Sequence, residues 1–141
     1  MIGRVVDDLC NVDEAGLERL VHAFYARVRE DAELGPIFNR AIADWPEHLH
    51  KLHAFWSSVM LTSGRYKGQP VPAHVKHRDH ITPALFDRWL ALWGKTAHEL
   101  MTPDAAQALE AKAARIAESL QLAMFFRLDA QRAAPSAGRA R

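Results

Sequence analysis

Apolar side chains recur at intervals of three and four residues near the start of the chain. They are Leu17, Leu20, Val21, Phe24, Tyr25 and Val28. Because an α-helix has about 3.6 residues per turn, this spacing places them on one helical face. Asn11 followed by Glu14 predicts a capping box at the start of this helix. Gly35-Pro36 predicts its end, because the residue before a proline is disfavoured in the helical region.

Prolines mark the starts of three further helices. These start signals are Pro46, Thr82-Pro83 and Thr102-Pro103. Proline suits the first turn of a helix, where an N–H has no partner, and a preceding threonine hydroxyl can cap it. We expect the second helix to span Pro46–Leu61 and the fourth to continue to Leu128. No segment alternates with a period of two for long enough to form a strand, so the expected fold class is all-α.

The connection between residues 64 and 81 interrupts this helical pattern and carries three histidines. A connection of this length inside a small domain is often functional. His74 follows the stiff sequence PVPA, which would hold its imidazole in one direction, as metal ligation requires. His74, His77 and His80 also allow a zinc cluster, although neither a cysteine pair nor an HExxH motif accompanies them.

The formal net charge is +1 over 141 residues, and three arginines fall in the last part of the chain, at Arg132, Arg139 and Arg141. The rest is nearly neutral, which argues against a nucleic-acid-binding protein. We expect residues 1–129 to form one domain and the small, polar residues of 130–141 to be a disordered tail.

Cysteine content and hydropathy bear on the cellular compartment. Cys10 is the single cysteine, so an internal disulfide is excluded. The longest charge-free run, Leu52–Gly64, is too short to span a membrane, and no basic-then-apolar leader begins the chain. These features predict a soluble, cytoplasmic protein without a membrane partner.

Three polar side chains have ambiguous positions in the helical pattern. Tyr25 and Trp89 lie on apolar helical faces, and His48 lies in the first turn of the second helix. Taken one at a time, the residues favour ordinary explanations: a core tyrosine whose hydroxyl reaches water, a core tryptophan and a surface histidine. The pattern alone leaves a functional role for each of them open.

Six short phrases carry a resemblance to a known family. They are Phe24-Tyr25, LGPIFN at 34–39, WPEH at 45–48, Phe55-Trp56, GQP at 68–70 followed by His74, and ITPALFDRWLALW at 81–93. In this order and spacing they resemble the group III truncated haemoglobins, over about residues 15–128. The resemblance implies a two-over-two helical sandwich, a shortened globin fold, around one haem b.

The resemblance also implies roles for individual residues. His74 matches the iron ligand, and Tyr25, His48 and Trp89 match the distal polar residues that face the ligand bound to iron. The haem contacts implied are Phe38, Leu52, Phe55, Trp56, Ile81, Phe86 and Trp93. Residues 75–80 are more polar than is usual for the family, which suggests Lys76 or Arg78 as propionate partners and keeps His77 as an alternative iron ligand.

These roles imply a protein that binds dioxygen, carbon monoxide or nitric oxide at ferrous iron. A phenol, an imidazole and an indole can all donate hydrogen bonds to a dioxygen that carries partial negative charge. An alternative is a redox enzyme, a nitric oxide dioxygenase or a peroxidase-like protein, which would need a reductase on a separate polypeptide. A third is a structural or interaction domain without a cofactor. His48 itself has two possible roles: a gate to the pocket, or an internal iron ligand.

Overall fold

The computed structural model describes residues 9–68 and 81–126, and this part of the chain is helical, as expected. Its five α-helices are α1 (Glu14–Glu30), α2 (Leu34–Ala41), α3 (Trp45–Leu61), α4 (Pro83–Leu100) and α5 (Pro103–Gln121). A π-helical turn, Leu122–Phe126, follows α5 directly. The predicted fourth helix therefore loses its α-helical geometry before Met124, and Leu128 lies outside the described residues.

The capping box predicted for the first helix is wrong. Asp13, and not Asn11, caps α1, and its carboxylate accepts from the backbone N–H of Gly16 at 2.7 Å. The Glu14 carboxylate faces away from the cap, accepting from the Ser57 hydroxyl at 2.8 Å and lying 3.3 Å from Arg65 Nε. Contacts with α3 and with the segment after it therefore hold this side chain.

Gly35-Pro36 does not end the first helix, as the sequence suggested. The helix α1 ends at Glu30, and the two residues lie in the first turn of α2. A missing N–H costs little at that position, so the proline begins a helix instead of ending one. Gly35 is required by packing, because a Cβ there would lie 2.7 Å from the carbonyl oxygen of Arg29.

The remaining start signals agree with the structure. The N-cap side chains accept from backbone N–H groups in three helices: Asp44 from Glu47, Thr82 from Leu85, and Thr102 from Ala105. Each helix has a proline within its first two positions. The second predicted helix begins at Trp45, one residue before the proline, and its C-cap is Thr62 in the left-handed conformation.

The helix α1 lies at the centre of the packing. It contacts α2, α3 and α4, and α4 packs along α5. Its apolar face is buried, as the spacing predicted: Leu17, Leu20, Val21, Phe24, Tyr25 and Val28. The carboxylate of Asp31, just after α1, accepts from Arg88 Nε of α4 at 2.8 Å. Among the helices described, none is long and apolar enough to cross a membrane.

Candidate functional site

A cavity of about 510 Å³ lies among the five helices. This volume is typical of sites that bind small molecules and cofactors. The lining is mostly apolar and consists of Tyr25, Leu34, Ile37, Phe38, Ala41, Ile42, Ala43, Asp44, Glu47, His48, Lys51, Leu52, Phe55, Trp56, Tyr66, Ile81, Leu85, Phe86, Trp89, Ile116, Ala117 and Leu120. An apolar ligand of cofactor size therefore suits this cavity better than a polar metabolite.

Most of the residues singled out in the sequence meet at this cavity. Those that line it are Tyr25, Phe38, His48, Leu52, Phe55, Trp56, Ile81, Phe86 and Trp89. They come from four helices and from the segment before α4, far apart in sequence. Their polar members are a phenol, an imidazole and an indole, which are hydrogen-bond donors placed against an apolar space.

Tyr25, which is buried, and Trp89, which is half-buried, form the polar pair of the cavity wall. The Tyr25 side chain is 3% exposed, and the Trp89 indole N–H, which can only donate, is hydrogen-bonded to its hydroxyl. Burial raises the pKa of the Tyr25 phenol above its ordinary value, and the hydrogen bond from Trp89 opposes this shift only in part. Tyr25 therefore keeps its proton and has a hydroxyl hydrogen to donate.

Trp93 does not line the cavity, although it was expected to complete the wall. It is fully buried behind the wall, stacked on Trp56 with ring centres 4.4 Å apart and on Trp89 with ring centres 5.8 Å apart. Its indole N–H donates to the carbonyl oxygen of Leu109 at 3.2 Å. Helical periodicity cannot distinguish a residue that lines a cavity from its neighbour one turn later, because both face the interior.

Phe24 completes the aromatic layer around this polar pair. It is fully buried and meets Tyr25, Trp89 and Trp93 edge to face, with ring centres 4.7, 5.6 and 4.9 Å away. Edge-to-face contacts between aromatic rings are attractive. The polar pair is therefore held by rings that are themselves packed in the core.

His48 lies at the rim of the cavity, in the first turn of α3. Its backbone N–H donates to the carbonyl oxygen of Asp44 at 3.0 Å, and its ring meets the Trp45 ring edge to face, with centres 6.0 Å apart. Charged groups share this rim, where Lys51 Nζ lies 3.3 Å from Glu47 Oε1. The cavity thus has an aromatic interior and a charged edge.

Several lining residues were not singled out in the sequence. Ile116 and Leu120 of α5 are spaced four apart, so they share one helical face, which by itself does not indicate a ligand. Tyr66 follows α3 in an irregular segment, where periodicity gives no signal. Its backbone N–H donates to Ser58 Oγ at 2.8 Å, and its ring packs edge to face on Phe55 with centres 5.3 Å apart.

The histidine-bearing connection cannot be placed at this cavity. His74, His77, His80, Lys76 and Arg78 all lie outside the described residues. Within residues 9–68 and 81–126, no group of three or more side chains could hold a metal ion. The predicted iron ligand and propionate partners therefore stay predictions.

The fold and the cavity together define a class of protein: an all-helical domain that encloses an apolar, cofactor-sized space with convergent hydrogen-bond donors. No established family profile matches the chain. It is 31% identical over 114 residues to "Group 3 truncated hemoglobin ctb" of Campylobacter jejuni, a match that covers 78% of this chain and 89% of the relative.

A solved structure agrees with this match. The crystal structure of group III truncated hemoglobin from Campylobacter jejuni superposes with a TM-score of 0.73 at 30% identity, covering 82% of this chain and 93% of that chain. The chain belongs to the group III truncated haemoglobins. The truncated globin fold expected from the sequence is confirmed, and membership of this family implies a haem cofactor.

Proposed function

We propose that the cavity holds one haem b and that the protein binds dioxygen or another diatomic gas beside Tyr25, His48 and Trp89. The observation that carries this proposal is the convergence of these three donors on an apolar cavity. A packed core does not require a phenol, an imidazole and an indole at one space. Donors placed in a dry site form strong hydrogen bonds with a ligand that carries partial negative charge.

The residues present fit a haem. Phe38, Leu52, Phe55 and Phe86 offer apolar surfaces to a flat macrocycle. At the rim, the Lys51 ammonium and the Tyr66 hydroxyl are suited to donate hydrogen bonds to the two haem propionates. Lys51 would then pair with a propionate instead of with Glu47. Lys76 and Arg78 are further candidates on sequence grounds.

His74 is the proposed iron ligand, supported by its proline-bearing approach and by the family match. When bound, the haem supplies a ferrous iron that coordinates the gas. We expect His74→Ala to lose most of its haem, or to regain it only with added imidazole, as judged from the Soret band. Normal haem retention with an unchanged ferrous spectrum would instead favour His77.

Tyr25 and Trp89 act in series in this proposal. The Trp89 N–H donates to the Tyr25 oxygen, which leaves the Tyr25 hydroxyl hydrogen available for the ligand. Chains of hydrogen bonds polarise one another, so the first bond strengthens the second. Trp89 can therefore stabilise a bound ligand through Tyr25.

The test of the proposal is spectroscopic. The purified protein, or the protein reconstituted with haem, should show a Soret band that shifts on reduction and again on adding carbon monoxide. A protein that takes up no haem under these conditions would contradict the proposal, since the cavity would then serve another apolar ligand.

A redox enzyme is the second candidate, favoured by the number of donors around the cavity. Donors fixed in advance stabilise negative charge that develops during a reaction as well as charge on a stable ligand. Nitric oxide dioxygenase or peroxidase-like activity would need electrons from a separate reductase. Steady-state turnover with a reductase, compared with gas dissociation rates, distinguishes this candidate from a binding protein.

A further inference from the structure

Trp45 occupies an unusual position for a large aromatic side chain. It is the first residue of α3, where one side of the helix commonly faces solvent, yet it is only 8% exposed. Its ring also approaches Tyr25, with ring centres 6.2 Å apart. The indole therefore lies between the start of α3 and the deep polar pair of the cavity.

Two neighbours fix this indole. Its N–H donates to Asn39 Oδ1 at 3.2 Å, and the guanidinium carbon of Arg29 lies 4.6 Å from the ring centre. Asn39 Nδ2 in turn donates to the backbone carbonyl of Arg29 at 3.2 Å. The end of α1, the later part of α2 and the start of α3 are joined in this way, so the ring has little freedom to rotate.

The fixed ring meets His48, three residues later on the same side of the helix. The two ring planes are nearly perpendicular, at 88°, with centres 6.0 Å apart. This arrangement is attractive between aromatic rings. We propose that Trp45 is a positioning residue that holds the His48 imidazole at the cavity rim and thereby sets how fast ligands reach the cavity.

This inference rests on the proposed function, because it concerns the access of a gas to the haem. On this proposal, an imidazole that swings away from the cavity loses the edge-to-face contact with Trp45 that it makes at the rim. An aromatic pair of this kind shifts an equilibrium about two- to twelve-fold. Loss of the indole should therefore favour the outward position of His48 and speed ligand association by about the same factor.

A double-mutant cycle with carbon monoxide tests the inference. Trp45→Leu should raise the association rate about two- to twelve-fold. In the His48→Leu background the same substitution should have little further effect, because the group that Trp45 positions is gone. An equal effect in both backgrounds would overturn the inference, as would no effect in either.

Arg29 supplies a gentler variant in case Trp45→Leu fails to fold. Arg29→Gln removes the cation from the indole face, and Arg29→Lys keeps a cation there. We expect a rise in the association rate for the first and partial rescue by the second. Arg40→Gln is the matched control, since Arg40 is an exposed arginine of α2. Carbon monoxide is uncharged, so the loss of one positive charge should not by itself alter its association rate. An equal rise in the association rate for Arg29→Gln and Arg40→Gln would therefore overturn the inference.

The readouts separate this inference from the proposed function. Haem uptake and carbon monoxide binding by the unmodified protein test the function alone. If the protein binds the gas but Trp45→Leu and Arg29→Gln leave association unchanged, the function stands and the inference fails. The spectrum of each variant, recorded before the kinetics, verifies that the haem site is intact.

Discussion

The deep and outer parts of the cavity wall hold their polar groups in different ways. Tyr25 and Trp89 belong to helix interiors and are surrounded by Phe24 and Trp93. His48 belongs to the first turn of α3, where its ring contacts the ring of Trp45. One cavity thus combines donors fixed by core packing with a polar group held at the start of a helix.

Backbone hydrogen bonding explains part of this difference. Residues in the middle of a helix are held by bonds on both sides, whereas the first N–H groups of a helix lack partners within it. In α3 the Asp44 carboxylate supplies one partner, by accepting from Glu47 at 3.2 Å. The start of α3 is thus secured by its cap and by Trp45, and the middle of α4 by the whole aromatic layer.

The largest expected effect is a loss of stability when the aromatic layer behind Tyr25 and Trp89 is truncated. Trp93→Ala should lower the free energy of unfolding by about 3–5 kcal/mol, because it leaves a cavity in the packed core. Chemical denaturation measures this change. Leu122→Ala is the control, since Leu122 is 52% exposed and its truncation should cost little. Similar losses in both variants would mean that the aromatic layer is not what fixes the deep donors.

The next effect concerns the deep donors themselves. Tyr25→Phe should speed dioxygen dissociation about two- to twelve-fold, the worth of one hydrogen bond, and should change carbon monoxide dissociation less. If Trp89 acts through Tyr25, adding Trp89→Phe to this variant should have a smaller effect than Trp89→Phe alone. Equal changes for both gases, measured by stopped flow, would point to a steric role.

His48 should respond differently from the deep donors. His48→Leu should raise carbon monoxide association by a few-fold, within the range expected for its aromatic contact, and should alter dioxygen dissociation less. Flash photolysis measures the first rate. A hexacoordinate low-spin ferrous spectrum without added ligand, lost on this substitution, would show that His48 binds the iron and would rule out the gate.

The smallest effect lies outside the cavity, at the ion pair between α1 and α4. The hydrogen bond from Arg88 lowers the pKa of Asp31 from 3.8 to about 2. A carboxyl group with a lowered pKa stabilises the folded state at any pH above its ordinary pKa. This stabilisation is lost as the pH falls through the pKa of the folded state. Asp31→Asn should therefore lower Tm slightly at neutral pH, with the difference from the unmodified protein disappearing between about pH 4 and pH 2.

Capping residues and helical periodicity predicted correctly those features of a helix that depend only on its own sequence. The proline-bearing starts of α3, α4 and α5 and the buried face of α1 were predictable, because caps and periodicity act over a few residues. The same rules failed at Gly35-Pro36. A proline can end one helix or begin another, and here it begins one, where the chain brings Gly35 against the backbone of Arg29.

The sequence by itself determined the helical class, the positions of most helices and, through the family resemblance, three of the polar residues that line the cavity, Tyr25, His48 and Trp89. Tertiary structure alone decided that Trp89 lines the cavity while Trp93 lies behind it, and that Tyr66 joins the wall. It also decided the raised pKa of Tyr25 and the contacts that fix Trp45. The physical reason is that burial, stacking and hydrogen bonding between helices depend on residues distant in sequence, which no local pattern encodes.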